Sequence, residues 1–99
     1  MKKINVALNK EKHFKVKIIA VQKRTTMKNL IIDAIQYIIE NNIPIYKVFS
    51  INDTTTFTMN IEEELDININ NYVKSQKCYI RNIYEKALDI IIKGEEDYG

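Results

Sequence analysis

Lys3-Ile4-Asn5-Val6-Ala7-Leu8-Asn9 is the stretch on which the fold turns, because its apolar side chains fall on every second position. Ile4, Val6 and Leu8 point one way, and Lys3, Asn5 and Ala7 the other, which is the period of a half-buried β-strand. Asn9 then stands where a helix needs a cap, and a helix is predicted from Lys10 to about Arg24. Glu11 in its first turn complements the helix dipole. Phe14, Ile18 and Val21 lie along one side of this helix, with Val16, Ile19 and Ala20 beside them.

Working outward, Thr25-Thr26 forms a second cap site and Met27-Lys28-Asn29 opens a second helix. Leu30, Ile31, Ala34, Ile35, Ile38 and Ile39 give it an apolar face wider than one neighbour could cover, so it is expected at the centre of a core or interface. It ends near Asn41-Asn42, and Pro44 enforces the stop. Residues 43–53 read as a docked linker, with Ile43, Ile45, Val48, Phe49 and Ile51 packing down and room for a short extra strand. The pattern then repeats. Thr54 to Asn60 alternates again, with Thr55, Phe57 and Met59 on one side and Thr54, Thr56 and Thr58 on the other. Asn60 takes the place of Asn9. An acidic helix start at Ile61 to Leu65 follows, and Leu65, Ile69, Tyr72 and Val73 form an apolar face that runs to about Ser75. A last helix is predicted from Tyr79 to Lys93, ended by Gly94, with Ile83, Ala87, Leu88, Ile91 and Ile92 on its core side. The reading is a mainly helical chain with short strands, β-α-α-linker-β-α-α: a first unit over 1–42, a linker over 43–53 and a second unit over 54–99.

The first unit resembles the ribbon-helix-helix family of DNA-binding proteins. The likeness rests on the strand Lys3 to Leu8, the capped helix after Asn9, and Thr26-Met27-Lys28-Asn29-Leu30-Ile31-Ile32-Asp33-Ala34-Ile35, which is similar to that family's second-helix opening. Residues 54–93 share the layout with less residue detail; Lys77-Cys78-Tyr79 lacks the Thr-Thr cap. The resemblance implies that two strands pair antiparallel into a ribbon that enters the DNA major groove. It assigns base contacts to Lys3, Asn5, Ala7, Thr54, Thr56 and Thr58. Phosphate contacts fall to Thr25, Thr26, Met27 and Lys28 at the second helix start, and to Lys2. Lysine, asparagine and threonine are suited to base edges, and a helix N-terminus to phosphate. The second unit could cover the strand edge of the first, and a linker of eleven residues could extend to about 35 Å. An intramolecular pseudo-dimer is therefore the preferred arrangement, beside a homodimer with two ribbons.

Charge divides the chain. Residues 1–49 hold ten Lys/Arg and three Asp/Glu, a net +7, whereas residues 50–99 hold five and ten, a net −5. A basic half suits a polyanion. The −5 charge of the second half would repel phosphates unless the glutamates face away, and Glu62 to Glu64 are expected at the end of their helix far from the groove or on its outer flank. Two functional classes follow. One is sequence-specific binding of double-stranded DNA, as a transcriptional repressor or a plasmid or phage accessory factor. The other is a protein-interaction module, such as an antitoxin whose acidic half grips a basic partner.

Other chemistry finds little footing in the sequence. One cysteine, Cys78, allows no internal disulfide or cysteine-based zinc cluster, and a cytoplasmic setting is expected. No apolar run reaches the length of a membrane span or signal peptide. No nucleophile–histidine pair, glycine-rich phosphate loop or ligand cluster is present, so neither an enzyme nor a cofactor or metal is expected. His13 reads as a surface residue, Cys78 as a half-buried small side chain, and Tyr37, Tyr72 and Tyr84 as core.

Overall fold

The computed structural model describes residues 1–98, and within them the elements run strand, helix, helix, strand, helix, helix. β1 (Lys2–Asn9) leads directly into α1 (Lys10–Gln22), and α2 follows at Met27–Glu40. β2 is Thr54–Ile61, α3 Glu63–Gln76 and α4 Ile80–Tyr98. Gly99, the end of the expected second unit, lies outside the described residues. The described chain is mostly helical, with one two-stranded sheet.

The two strands of the chain pair with each other, antiparallel, in a register that runs from Lys2–Ile61 to Asn9–Thr54. A two-stranded ribbon alone is barely stable in water and needs something to pack on. Here the inward residues Val6, Leu8, Met59 and Ile61 are buried, and Ile4 and Phe57 pack on the same core. α2 and α4 pack against each other, and α1, α3 and β1 all pack on α4. Ile31, Ile35 and Ile38 of α2 and Ile83, Tyr84 and Leu88 of α4 are sealed from solvent. Burial, with Asp66 adding to it, pushes the Tyr84 hydroxyl well above the usual phenol range, so this core tyrosine stays neutral.

One device ends α1, α2 and α3. Arg24, Asn42 and Lys77 each adopt a left-handed conformation, with φ of 55°, 51° and 55°. The next N–H reaches back five residues in each case: Thr25 to Ala20 at 2.9 Å, Ile43 to Ile38 at 3.0 Å and Cys78 to Val73 at 3.1 Å. These are Schellman-type ends. The seam between α1 and α4 is closed by charge. Lys12 lies 3.7 Å from Glu85 and 2.8 Å from Asp89, and Lys23 lies 3.4 Å from Glu95. Burial works against the Lys12 charge, but Asp89 and Glu85 outweigh it and hold its pKa above the ordinary lysine value. Glu85 also accepts the Asn9 N–H at 2.8 Å.

Several expectations are corrected. Asn60 is not a cap: β2 continues through Ile61, whose fully buried side chain must follow the inward alternation. Glu62 takes the cap position without a side-chain hydrogen bond. Gly94 does not end α4, which continues to Tyr98; a glycine inside a helix costs about 1 kcal/mol, and the Lys23–Glu95 pair lies beyond it. On α1, Val16, Ile19 and Ala20 are buried while Phe14, Ile18 and Val21 face solvent, because apolar residues surround this helix and only one side meets α4. Tyr72 and Tyr84 are core, but Tyr37 is exposed on α2. The linker forms no strand. Its backbone is tied down, with Ile43 carbonyl accepting from the Tyr72 hydroxyl and Ile45 N–H donating to Gln76 at 3.2 Å. Ile45 is buried, yet Tyr46, Val48 and Phe49 keep their side chains in solvent.

Candidate nucleic-acid interface

Alternation along the ribbon sends its polar side chains to one open face. Lys3, Asn5 and Ala7 lie opposite Asn60, Thr58 and Thr56, and all six are exposed. Asn5 and Thr58 are joined: the Thr58 hydroxyl donates to Asn5 Oδ1 at 2.6 Å. The bond orients the Asn5 amide with its NH₂ group and a second oxygen lone pair still available. Thr54, at the ribbon's end, is exposed opposite Asn9. Asn9 itself is committed to structure, accepting the Lys12 N–H at 3.0 Å and donating to the Asn52 carbonyl at 3.2 Å. All six sequence-assigned base-contact residues thus share one surface. Asn60, opposite Lys3, joins them in place of the cap role expected of it.

The five assigned phosphate contacts are less uniform. Thr26 Oγ1 accepts the Asn29 N–H at 3.1 Å, and Thr25 Oγ1 accepts from the Asn29 side chain at 3.3 Å. This cap leaves the N–H groups of Met27 and Lys28 without helical acceptors, as in any first turn. The Met27 side chain packs against the core. Lys28 is half-buried and shares a groove between α2 and α3 with Glu62 and Glu64. Lys2 is held by Asp66 at 3.0 Å, which offsets part of its charge.

The start of α4, where no Thr-Thr cap exists, is built differently. Buried Asn82 reaches back to accept the Tyr79 N–H at 2.9 Å, and its NH₂ group donates to the Val48 carbonyl at 3.3 Å. Arg81 donates to the carbonyls of Val48 and Phe49 and stacks 4.9 Å from the Tyr79 ring centre. Lys47 sits 5.0 Å from the Phe49 ring centre and 4.9 Å from that of Tyr79. Arg81 and Tyr79 border the same hollow as Lys2, Lys3 and Asn5, so cationic groups flank β1. The signal for Asn82 was its spacing three residues after Tyr79, half of a capping box. Lys47 and Arg81 are far apart in sequence, and nothing local joins them.

Glu62 to Glu64 do not lie far from the ribbon: one residue separates β2 from α3, so the acidic helix start sits beside the ribbon's Lys2–Ile61 end. The groove there, about 520 Å³, has Ile32, Ile39 and Leu65 among its walls together with Glu40, Glu62 and Glu64. His13 meets the Phe57 ring edge-on at 5.8 Å; burial and then Lys17 lower its pKa, favouring the neutral form. Cys78 is half-buried, and burial pushes its thiol pKa up. Among the described residues, no three His, Cys, Asp or Glu side chains are placed to hold a metal, and no helix is long and apolar enough to cross a membrane. In comparisons with protein families, curated proteins and solved structures, none matches this chain.

Proposed function

We propose that this protein binds double-stranded DNA sequence-specifically, as a single-chain ribbon-helix-helix pseudo-dimer that lays the β1–β2 ribbon in the major groove. The observation that carries the reading is the ribbon's open face, on which Lys3, Asn5, Thr56, Thr58 and Asn60 are exposed in one register. A major groove about 12 Å wide admits two strands about 5 Å apart. Asparagine suits adenine N6/N7, lysine suits guanine O6/N7, and threonine can address a thymine methyl. Phosphates on the flanks would meet the open N–H groups of Met27 and Lys28, with Lys2 at one strand edge. Arg81, which borders the hollow along β1, adds positive charge there. A repressor or a plasmid or phage accessory factor is the role that such binding would serve.

Selection of bound fragments from a random duplex pool at about 0.15 M salt tests the reading. An enriched motif is expected, and it should be asymmetric, because β1 and β2 present different side chains. If no sequence is enriched, base readout is absent, and a basic protein partner for the Glu40–Glu62–Glu64 groove becomes the reading to pursue.

Two substitutions separate folding from binding at the α2 start. Aspartate caps helices as well as threonine does, so Thr26→Asp should leave the urea midpoint nearly unchanged. Its charge would oppose a phosphate, so DNA affinity should fall at least ~10-fold, about 1.4 kcal/mol. Unchanged affinity in an equilibrium titration would remove phosphate from this helix start. Lys28→Ala should weaken all DNA sequences alike and reduce the slope of log K against log salt by about one.

A further inference from the structure

α1 carries a solvent-facing apolar row that the core does not use: Phe14, Ile18 and Val21 are 61%, 42% and 72% exposed. Their spacing of four and three residues puts them on one side of the helix. Lys10 and Lys17 lie along the same side, and Arg24 just past its end, all exposed. Contiguous apolar surface rimmed by charge is characteristic of a contact with another macromolecule. α3 presents a counterpart, in which Ile67, 58% exposed, lies one turn beyond Glu63 and Glu64 and one turn before Asn71.

We propose that copies of this chain associate head to tail, the α1 face of one docking against the α3 face of the next. Charge selects this pairing over the alternatives. Two α1 faces brought together would oppose lysines to lysines, and two α3 faces glutamates to glutamates. An antiparallel α1–α3 docking with Ile18 opposite Ile67 sets Glu11 against Lys74 at one end and brings Arg24 towards Glu63 and Glu64 at the other. It also opposes the dipoles of the two helices favourably. The ribbon register keeps the faces apart within one chain, since α1 leaves at the Asn9–Thr54 end and α3 at the Ile61–Lys2 end. The two surfaces differ, so the contact is heterologous, and each added copy leaves one face of each kind open for another.

Sedimentation of the full chain without DNA, up to about 1 mM, tests this independently of nucleic-acid binding. The unsubstituted chain should form a concentration-dependent series beyond two copies, and raising salt from about 0.05 to 0.5 M should weaken it. A Phe14→Ser, Ile18→Ser double variant spoils the α1 face, and Ile67→Lys spoils the α3 face. These positions are solvent-facing, so circular dichroism should show both variants folded. Each alone should associate at least ~10-fold more weakly. Mixed, they should form a two-chain species and nothing larger, because one intact α1 face and one intact α3 face remain. A chain that stays monomeric throughout, a mixture that stays monomeric, association insensitive to salt, or self-association that survives Ile67→Lys would each overturn the proposal.

Discussion

Leu88→Ala is expected to lower the stability of the whole chain by about 3–5 kcal/mol and to shift its urea midpoint accordingly. Leu88 is fully buried in α4, the helix on which α1, α2, α3 and β1 all pack. The cost combines lost transfer energy with a cavity that rigid neighbours cannot close. A domain of this size has a total stability of about 5–15 kcal/mol, so the change takes a large share of it. The core mixes residues from both halves, with Leu8 and Ile35 from the first and Ile61 and Leu88 from the second. Unfolding followed by far-ultraviolet dichroism and tyrosine fluorescence should therefore coincide in one transition, before and after substitution. Two separate transitions would mean that the halves fold independently. Val21→Ala, at an exposed position of α1, serves as the control and should stay within about 0.5 kcal/mol of the parent.

The elements were legible where local chemistry decides them. Alternation in Lys3 to Leu8, the Asn9 and Thr26 caps and the wide apolar face of α2 are properties of neighbouring residues, and the structure has strand, caps and buried face there. Local pattern is ambiguous where a residue type allows two uses. Asn60 can cap a helix or sit in a strand, and the burial of Ile61 decided for the strand. Gly94 can end a helix or be carried through one. α1 was hardest, because apolar residues encircle it; which side faces inward depends on where α4 lies, and no local pattern contains that. Similarly, the bonds of Asn82 and Arg81 to the linker join segments more than thirty residues apart. Of the candidate interface, the outward parity of both strands could be read in advance. Their register could not, and it is the register that brings Thr58 onto Asn5.

That pairing makes Asn5→Ala the most informative change on the ribbon. Loss of the amide should weaken binding to the selected site by about 1–3 kcal/mol, the worth of one good base contact, while binding to unrelated duplex stays nearly constant. The neighbouring hydroxyl sharpens the test. Thr58→Val removes the group that orients Asn5 but leaves its amide able to reach a base, so its own loss at that position should be smaller. If Thr58 acts through Asn5, the Asn5→Ala, Thr58→Val double variant should bind hardly more weakly than Asn5→Ala alone, a coupling of about 0.5 kcal/mol or more. Additive losses would mean that Thr58 reads its own base. Equal losses on every duplex would place Asn5 outside base readout. Neither residue is buried, so both variants should keep the parent's stability to within about 0.5 kcal/mol, and titrations of specific and random duplex at one salt concentration separate these outcomes.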